Sequence, residues 1–176
     1  VAGPLAGFVV AVPLLIVGVA ASKVVPLPAD GGGLVLGDPL LFQLVERVVW
    51  GVIPDDQALY VHPMGLAAWF GLLATALNLF PFGQLDGGHI TYALFGSRAR
   101  WLSMATIAAT LALAYGSLSW AAWTVMLLVM TAMQGVGPPP TDDDSQPLGR
   151  TRLALAVAAA LVFVLSFTPR PIEPMD

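Results

Sequence analysis

Residues 77–90 read Leu77-Asn78-Leu79-Phe80-Pro81-Phe82-Gly83-Gln84-Leu85-Asp86-Gly87-Gly88-His89-Ile90, or LNLFPFGQLDGGHI. An apolar run, PMGLAAWFGLLATALNLF at 63–80, leads straight into this stretch, and apolar sequence resumes soon after it. Pro81 removes a backbone donor and interrupts a helix, while Gly83, Gly87 and Gly88 relax the constraints on the backbone. Asp86 is ionisable, and a carboxylate buried at membrane depth is costly unless it is paired or coordinated. Irregular backbone is tolerated there only inside protein or against a wet cavity. Two readings follow: a carboxylate on a broken helix facing an internal cavity, or an interfacial turn that merely ends the preceding span.

The composition says why membrane depth is the relevant scale. Of 176 residues, 57% are hydrophobic and 10% charged, against about 25% charged in a typical soluble domain. The mean hydropathy of +0.82 points the same way. A net charge of −4 with no basic run argues against nucleic acid as a partner. The absence of cysteine excludes disulfides, thiolate metal sites and cysteine nucleophiles.

About 20 apolar residues cross a bilayer. Working outward from the opening stretch, the expected spans are about 3–22, 63–80, 101–116, 118–133 and 151–168. The fold class is therefore an all-α polytopic membrane protein of about five transmembrane helices, with a broken helix carrying Leu85-Asp86-Gly87-Gly88. Residues 1–136 form the membrane core, including an interfacial or soluble segment at 23–60. Within that segment DPLLFQLVERVVW is too short to span and reads as an interfacial amphipathic helix with Trp50 at headgroup level. Gly3 and Gly7, with Ala6 beside them, form a small-residue face for close helix approach. Residues 137–150 are a Pro/Asp-rich solvated loop, and 151–176 hold the last span and a polar tail. The chain opens on Val1 with apolar sequence and no basic n-region, which is unlike a signal peptide. The expectation is a polypeptide whose N-terminal part lies upstream of Val1. Arg98, Arg100, Arg150 and Arg152 fall on one side of the membrane and Lys23, Arg47 and Arg170 on the other. The positive-inside rule then puts the motif side in the cytoplasm.

Each candidate site residue has a structural reading beside its functional one. Asn78 either bonds a neighbouring helix or holds a peptide substrate or developing oxyanion. His89, three positions after Asp86, either caps a helix start or acts as a ligand or its supporting partner. His62 before Pro63 reads as an interfacial structural histidine. No H-E-x-x-H, nucleotide-binding P-loop or G-x-S-x-G elbow occurs.

Asn78-x-x-Pro81 followed by Leu85-Asp86-Gly87-Gly88-His89 resembles the second signature of the site-2 protease family of intramembrane zinc metalloproteases. GPLAGFVVAV at 3–12 is similar to that family's Gly-rich helix. GDPLL at 37–41, HPMGLAAWFGLL at 62–73, ALNLFPFGQLDGGHITYALFG at 76–96 and the GPPPTDDDSQPL stretch resemble its EGY-like and bacterial branch. The resemblance implies hydrolysis of peptide bonds in membrane-anchored protein substrates, with Zn2+ as cofactor and the lipid bilayer as surroundings. It implies Asp86 as the third zinc ligand and Asn78, with the unwound backbone near Pro81, as a substrate-positioning element. Gly87 and Gly88 would let the chain turn closely around the metal. The two histidines and the general base of H-E-x-x-H are not in this chain, and the family carries them on a helix before the Gly-rich one. Taken alone, these 176 residues are therefore expected to hydrolyse nothing. The alternatives are a non-catalytic protease-like membrane scaffold, or an ion-coupled transporter using Asp86.

Overall fold

The structure, a computed structural model, describes residues 2–27, 34–135 and 149–174. Seven α-helices make up most of the described residues: α1 Ala2–Ala20, α2 Leu40–Val49, α3 Pro63–Asn78, α4 Asp86–Phe95, α5 Ala99–Ala114, α6 Leu118–Gln134 and α7 Arg150–Ser166. Two small antiparallel ribbons accompany them. Strand β1 (Lys23–Pro26) pairs with β3 (Gln57–Tyr60), Lys23 opposite Tyr60. Strand β2 (Leu34–Leu36) pairs with β4 (Ile172–Pro174), Leu36 opposite Ile172. The mostly helical fold matches the expectation from sequence; the ribbons are additions to an all-α reading. They formed no visible pattern because three or four paired residues are too few for period-two alternation to register.

Among the described residues one helix, α1, is by itself long and apolar enough to cross a membrane. Helices α3, α5, α6 and α7 run 16 or 17 residues each. The expected Pro/Asp-rich loop lies, for residues 137–148, outside the described residues.

Helices α1 and α3 form the antiparallel centre, and small residues set how closely they pack. A Cβ on Gly18 would collide with the backbone of Gly65. Further along, a Cβ on Gly71 would lie 3.6 Å from the Ala11 Cβ, and one on Gly7 would lie 3.5 Å from Thr75 Oγ1. Close van der Waals packing of this kind, with backbone nearly against backbone, holds the pair together. The expected Gly3–Gly7 face is corrected accordingly: a Cβ on Gly3 would meet no neighbour, and the contact row is Gly7, Ala11 and Gly18. Leu15, Val19, Trp69 and Leu72 fill this core, with Phe42 of α2 against it.

The ends of these two helices are tied together at one point. Ser22 Oγ donates to the Gly18 carbonyl at 2.7 Å and accepts from the His62 amide at 2.9 Å. Trp50 Nε1 donates to the Val19 carbonyl at 2.9 Å, which also accepts from the Ser22 amide at 3.1 Å, so the terminal carbonyls of α1 at Gly18 and Val19 both find donors. His62 is the N-cap of α3, its Nδ1 accepting from the Met64 amide, and Pro63 follows at a helix start where its missing N–H costs nothing.

The C-terminal tail runs back along this core. Gly37 donates from its amide to the Pro171 carbonyl at 3.1 Å, and its own carbonyl accepts from Trp69 Nε1 at 2.9 Å. Ser119 Oγ, at the start of α6, donates to the Ile172 carbonyl at 2.9 Å. The tail thereby ties α6 and α7 to the α1–α3 pair.

Candidate functional site

The site begins where α3 stops. Pro81 cannot donate to a helical ladder, and α3 ends at Asn78, three residues before it. Residues 79–85 then run irregularly until α4 starts at Asp86. The chain turns sharply around Pro81, the Phe82 amide donating to the Phe80 carbonyl at 2.7 Å. Gly83 adopts a positive φ of 45°, a conformation that costs a residue with a Cβ. The Leu85 amide donates to the Phe82 carbonyl at 3.0 Å, and the Leu85 carbonyl accepts from the His89 amide at 3.1 Å, which opens α4.

This irregular backbone is braced from α5. Thr106 Oγ1 reaches the Pro81 carbonyl at 3.4 Å while also donating to the Leu102 carbonyl at 3.0 Å. The Gly83 amide donates to Ser103 Oγ at 3.4 Å. Ser103 and Thr106 are both buried and stand well inside α5, a 16-residue helix, rather than at its end. Phe82 is buried as well, and Phe80 packs edge-on against Trp120 of α6 and Phe163 of α7, with ring centroids at 5.9 and 5.3 Å. The interruption is therefore held from three helices.

The first turn of α4 folds against the same backbone. A Cβ on Gly87 would collide with the Leu79 and Phe80 carbonyl oxygens, and one on Gly88 with those of Gly83 and Phe82. Both glycines keep ordinary negative φ, so what is used at these positions is the missing Cβ, not backbone freedom. Only Gly83, of the three glycines read as relaxing the backbone, adopts a conformation that requires glycine.

Asp86 is the first residue of α4 and is half-buried. Asn78, the last residue of α3, and His89, in the first turn of α4, are both exposed, and Pro81 is half-buried in the break between them. His89 also lines a groove of about 280 Å³ between α4 and α7, beside Ile90, Arg152 and Leu155. The six residues singled out from sequence thus occupy one short passage, from the end of α3 through the first turn of α4. Among the described residues no three His, Asp or Glu side chains gather as a metal site. A catalytic zinc generally takes three protein ligands, so the described residues do not by themselves make a complete site for it.

Ser103 and Thr106 were not foreseen. Their signal is the three-residue spacing of hydroxyls on one face of an otherwise apolar helix, continued by Thr110, which is also buried. Small hydroxyl residues are common in membrane helices, where they bond their own backbone, so the spacing alone could not single them out.

Comparison with known proteins bears on the same stretch. The family model described as peptidase family M50 matches residues 1–122. The chain is 30% identical over 184 aligned positions to "Probable zinc metalloprotease EGY2, chloroplastic" of Oryza sativa subsp. indica, covering 99% of this chain and 32% of that protein. It is 29% identical to "Probable zinc metalloprotease EGY1, chloroplastic" of Arabidopsis thaliana, over 96% of this chain and 31% of that one. With "Probable zinc metalloprotease EGY3, chloroplastic" of Oryza sativa subsp. indica the identity is 39%, over 62% of this chain and 19% of that one. The chain spans about a third of the length of the first two relatives. No solved structure matches it significantly. With the family model covering well over half of the chain, and the relatives resembling it across the α3–α4 passage, the chain belongs to peptidase family M50, the site-2 protease family.

Proposed function

We propose that this chain forms part of an intramembrane zinc metalloendopeptidase, to which it contributes one metal ligand, Asp86, and the backbone that positions the substrate. The observation that carries the proposal is the interrupted helix. In a chain of peptidase family M50, a carboxylate opens α4 directly after a break braced from the interior of α5.

In this reading α1, α5, α6 and α7 each cross the bilayer, and α3, the break and α4 together make one interrupted crossing. The second span, expected from sequence to end at residue 80, would on this reading also include the break and α4. Arg98, Arg100, Arg150 and Arg152 flank its far end and the start of α7, which puts that side in the cytoplasm.

Asn78 presents its amide to an extended substrate segment, beside the irregular backbone around Pro81. Asp86 waits at the start of α4, its position fixed by the close fit of Gly87 and Gly88 against the break. The remaining ligands and the general base come from outside these residues, so the hydrolytic step is not this chain's alone.

The test is made on the full-length protein reconstituted in membranes. Asp86→Ala is expected to remove cleavage of a membrane-anchored substrate and to lower bound zinc, while the protein stays inserted. Wild-type cleavage by that variant would take Asp86 out of the ligand set. Absence of zinc and of cleavage in the wild type itself would favour a scaffold, and loss of ion-dependent uptake in Asp86→Asn without any cleavage would favour a transporter.

A further inference from the structure

Helix α2 is apolar over more of its circumference than the bundle covers. At 100° per residue, its apolar positions fill an arc of about 200°. Half of that arc faces the core: Phe42 is buried, and Leu41 and Val45 pack against the same cluster. The other half is bare. Leu40, Leu44 and Val48, spaced four residues apart, are 46, 55 and 85% exposed, and Val52 beyond the helix is 78% exposed. Gln43, Glu46 and Arg47 hold the polar remainder, so the bare row is bounded on one side by charge and on the other by the core. Leu40, Leu44 and Val52 also line a groove of about 300 Å³ whose polar side is Gln43, Glu46 and Arg47.

The surroundings say what covers this row. Trp50, one residue past α2, donates its indole N–H to the Val19 carbonyl at the end of α1. The C-terminal end of α2 is thereby fixed at the level where the apolar run of α1 gives way to Lys23. Along α1 itself Val9, Val10, Ile16 and Val17 are likewise exposed large apolar residues. Amphipathic helices at that boundary bury one face in the headgroup and acyl region.

We propose that the Leu40–Leu44–Val48 row of α2, with Val52, docks into the lipid monolayer at the end of α1, Arg47 lying at the phosphates. Through Trp50 and the Phe42 contact, this docking fixes the depth of the α1–α3 pair and hence of the break that carries Asp86. The inference rests on the reading that α1 crosses a bilayer, and the experiment separates the two.

These 176 residues contain no cysteine. Single thiols can therefore be introduced as Leu44→Cys, Val48→Cys, Arg47→Cys and Val9→Cys in the full-length protein, with any cysteine elsewhere replaced by serine. Each is labelled with an environment-sensitive fluorophore in phosphatidylcholine–phosphatidylglycerol liposomes. Labels at positions 44 and 48 should emit blue-shifted and be quenched by lipids spin-labelled near the headgroup. The label at 47 should instead be quenched by aqueous iodide, and the one at 9 by lipids spin-labelled deep in the acyl chain. Iodide quenching at 44 and 48 would overturn the docking by showing a face open to water. Quenching by neither would overturn it by showing a face covered by protein. Failure of the label at 9 to meet lipid would instead remove the membrane reading of α1 itself.

Discussion

Gly88 shows at the scale of one residue how the site is built. Its missing Cβ lets the first turn of α4 lie against the carbonyls of Phe82 and Gly83, and Gly87 does the same against Leu79 and Phe80. Because the obstructing atoms are backbone, Gly88→Ala should destabilise the fold by about 1–3 kcal/mol or more, measured by thermal unfolding in detergent. Gly83→Ala meets open space but a positive φ, so its cost should be smaller, about 1 kcal/mol. An equal or greater loss in Gly83→Ala would contradict the assignment of steric contact to Gly88 and of conformation to Gly83. Ser103 and Thr106 pose a different question, because they hold the break by hydrogen bonds. Ser103→Ala would leave the Gly83 amide without its acceptor inside the bundle, a penalty of about 1–3 kcal/mol. Cleavage by the full-length protein should fall with it, and Ser103→Thr should restore both. The Asn78-x-x-Pro81 and LDGGH signatures were readable because Pro, Gly and Asp stand out in an apolar run. The hydroxyls that brace them were not, since nothing in the sequence distinguishes a serine that bonds a distant loop from one that bonds its own helix.

At the scale of elements, the closest helix pair is α1 with α3, and its tightest point is Gly18 against Gly65. Gly18→Val would force the two backbones apart, with loss of the Ser22 link to His62 nearby. Its expected result is a protein that inserts but is digested rapidly by added protease between residues 23 and 60, whereas Gly3→Val should leave digestion unchanged. The sequence offered the Gly3–Gly7 spacing, which was half right: Gly7 packs on α3 and Gly3 does not. Which glycines meet a partner depends on the register of the antiparallel pair, and register belongs to no single helix. Helix α2 carries a second prediction. Desolvation, with repulsion from Glu46 added, pushes the Asp38 carboxyl from 3.8 up to about 6, although the residue as a whole is exposed, and burial also raises Glu46. Asp38 therefore holds its proton more firmly folded than unfolded. Between about pH 4 and pH 6 the folded form binds more protons, and stability falls as pH rises through that window. Amide exchange in residues 40–49 should accordingly be slower at pH 5 than at pH 7 after correction for intrinsic rates, and Asp38→Asn should flatten the difference.

For the whole molecule, the two ribbons and the returning tail join parts of the chain that lie far apart in sequence. Leu36 sits opposite Ile172, Gly37 bonds Pro171, and Ser119 and Trp120 bond the carbonyls of Ile172 and Pro169. Deleting residues 168–176 should therefore loosen α6 and α7 together, lowering the unfolding temperature and exposing the α6–α7 end to protease, although the segment reads as a mere polar tail. By itself the sequence determined the mostly helical class, the helix-breaking passage and the family signature within it. These depend on composition and short-range pattern, which a linear chain displays directly. Only the tertiary structure decided that the passage packs against the middle of α5 and that Gly87 and Gly88 serve by lacking a side chain. It alone decided, too, that the tail belongs to the α1–α3 core. Each of those facts is set by which surfaces fit in three dimensions, some of them between segments 20 or more residues apart, and no local propensity encodes that fit.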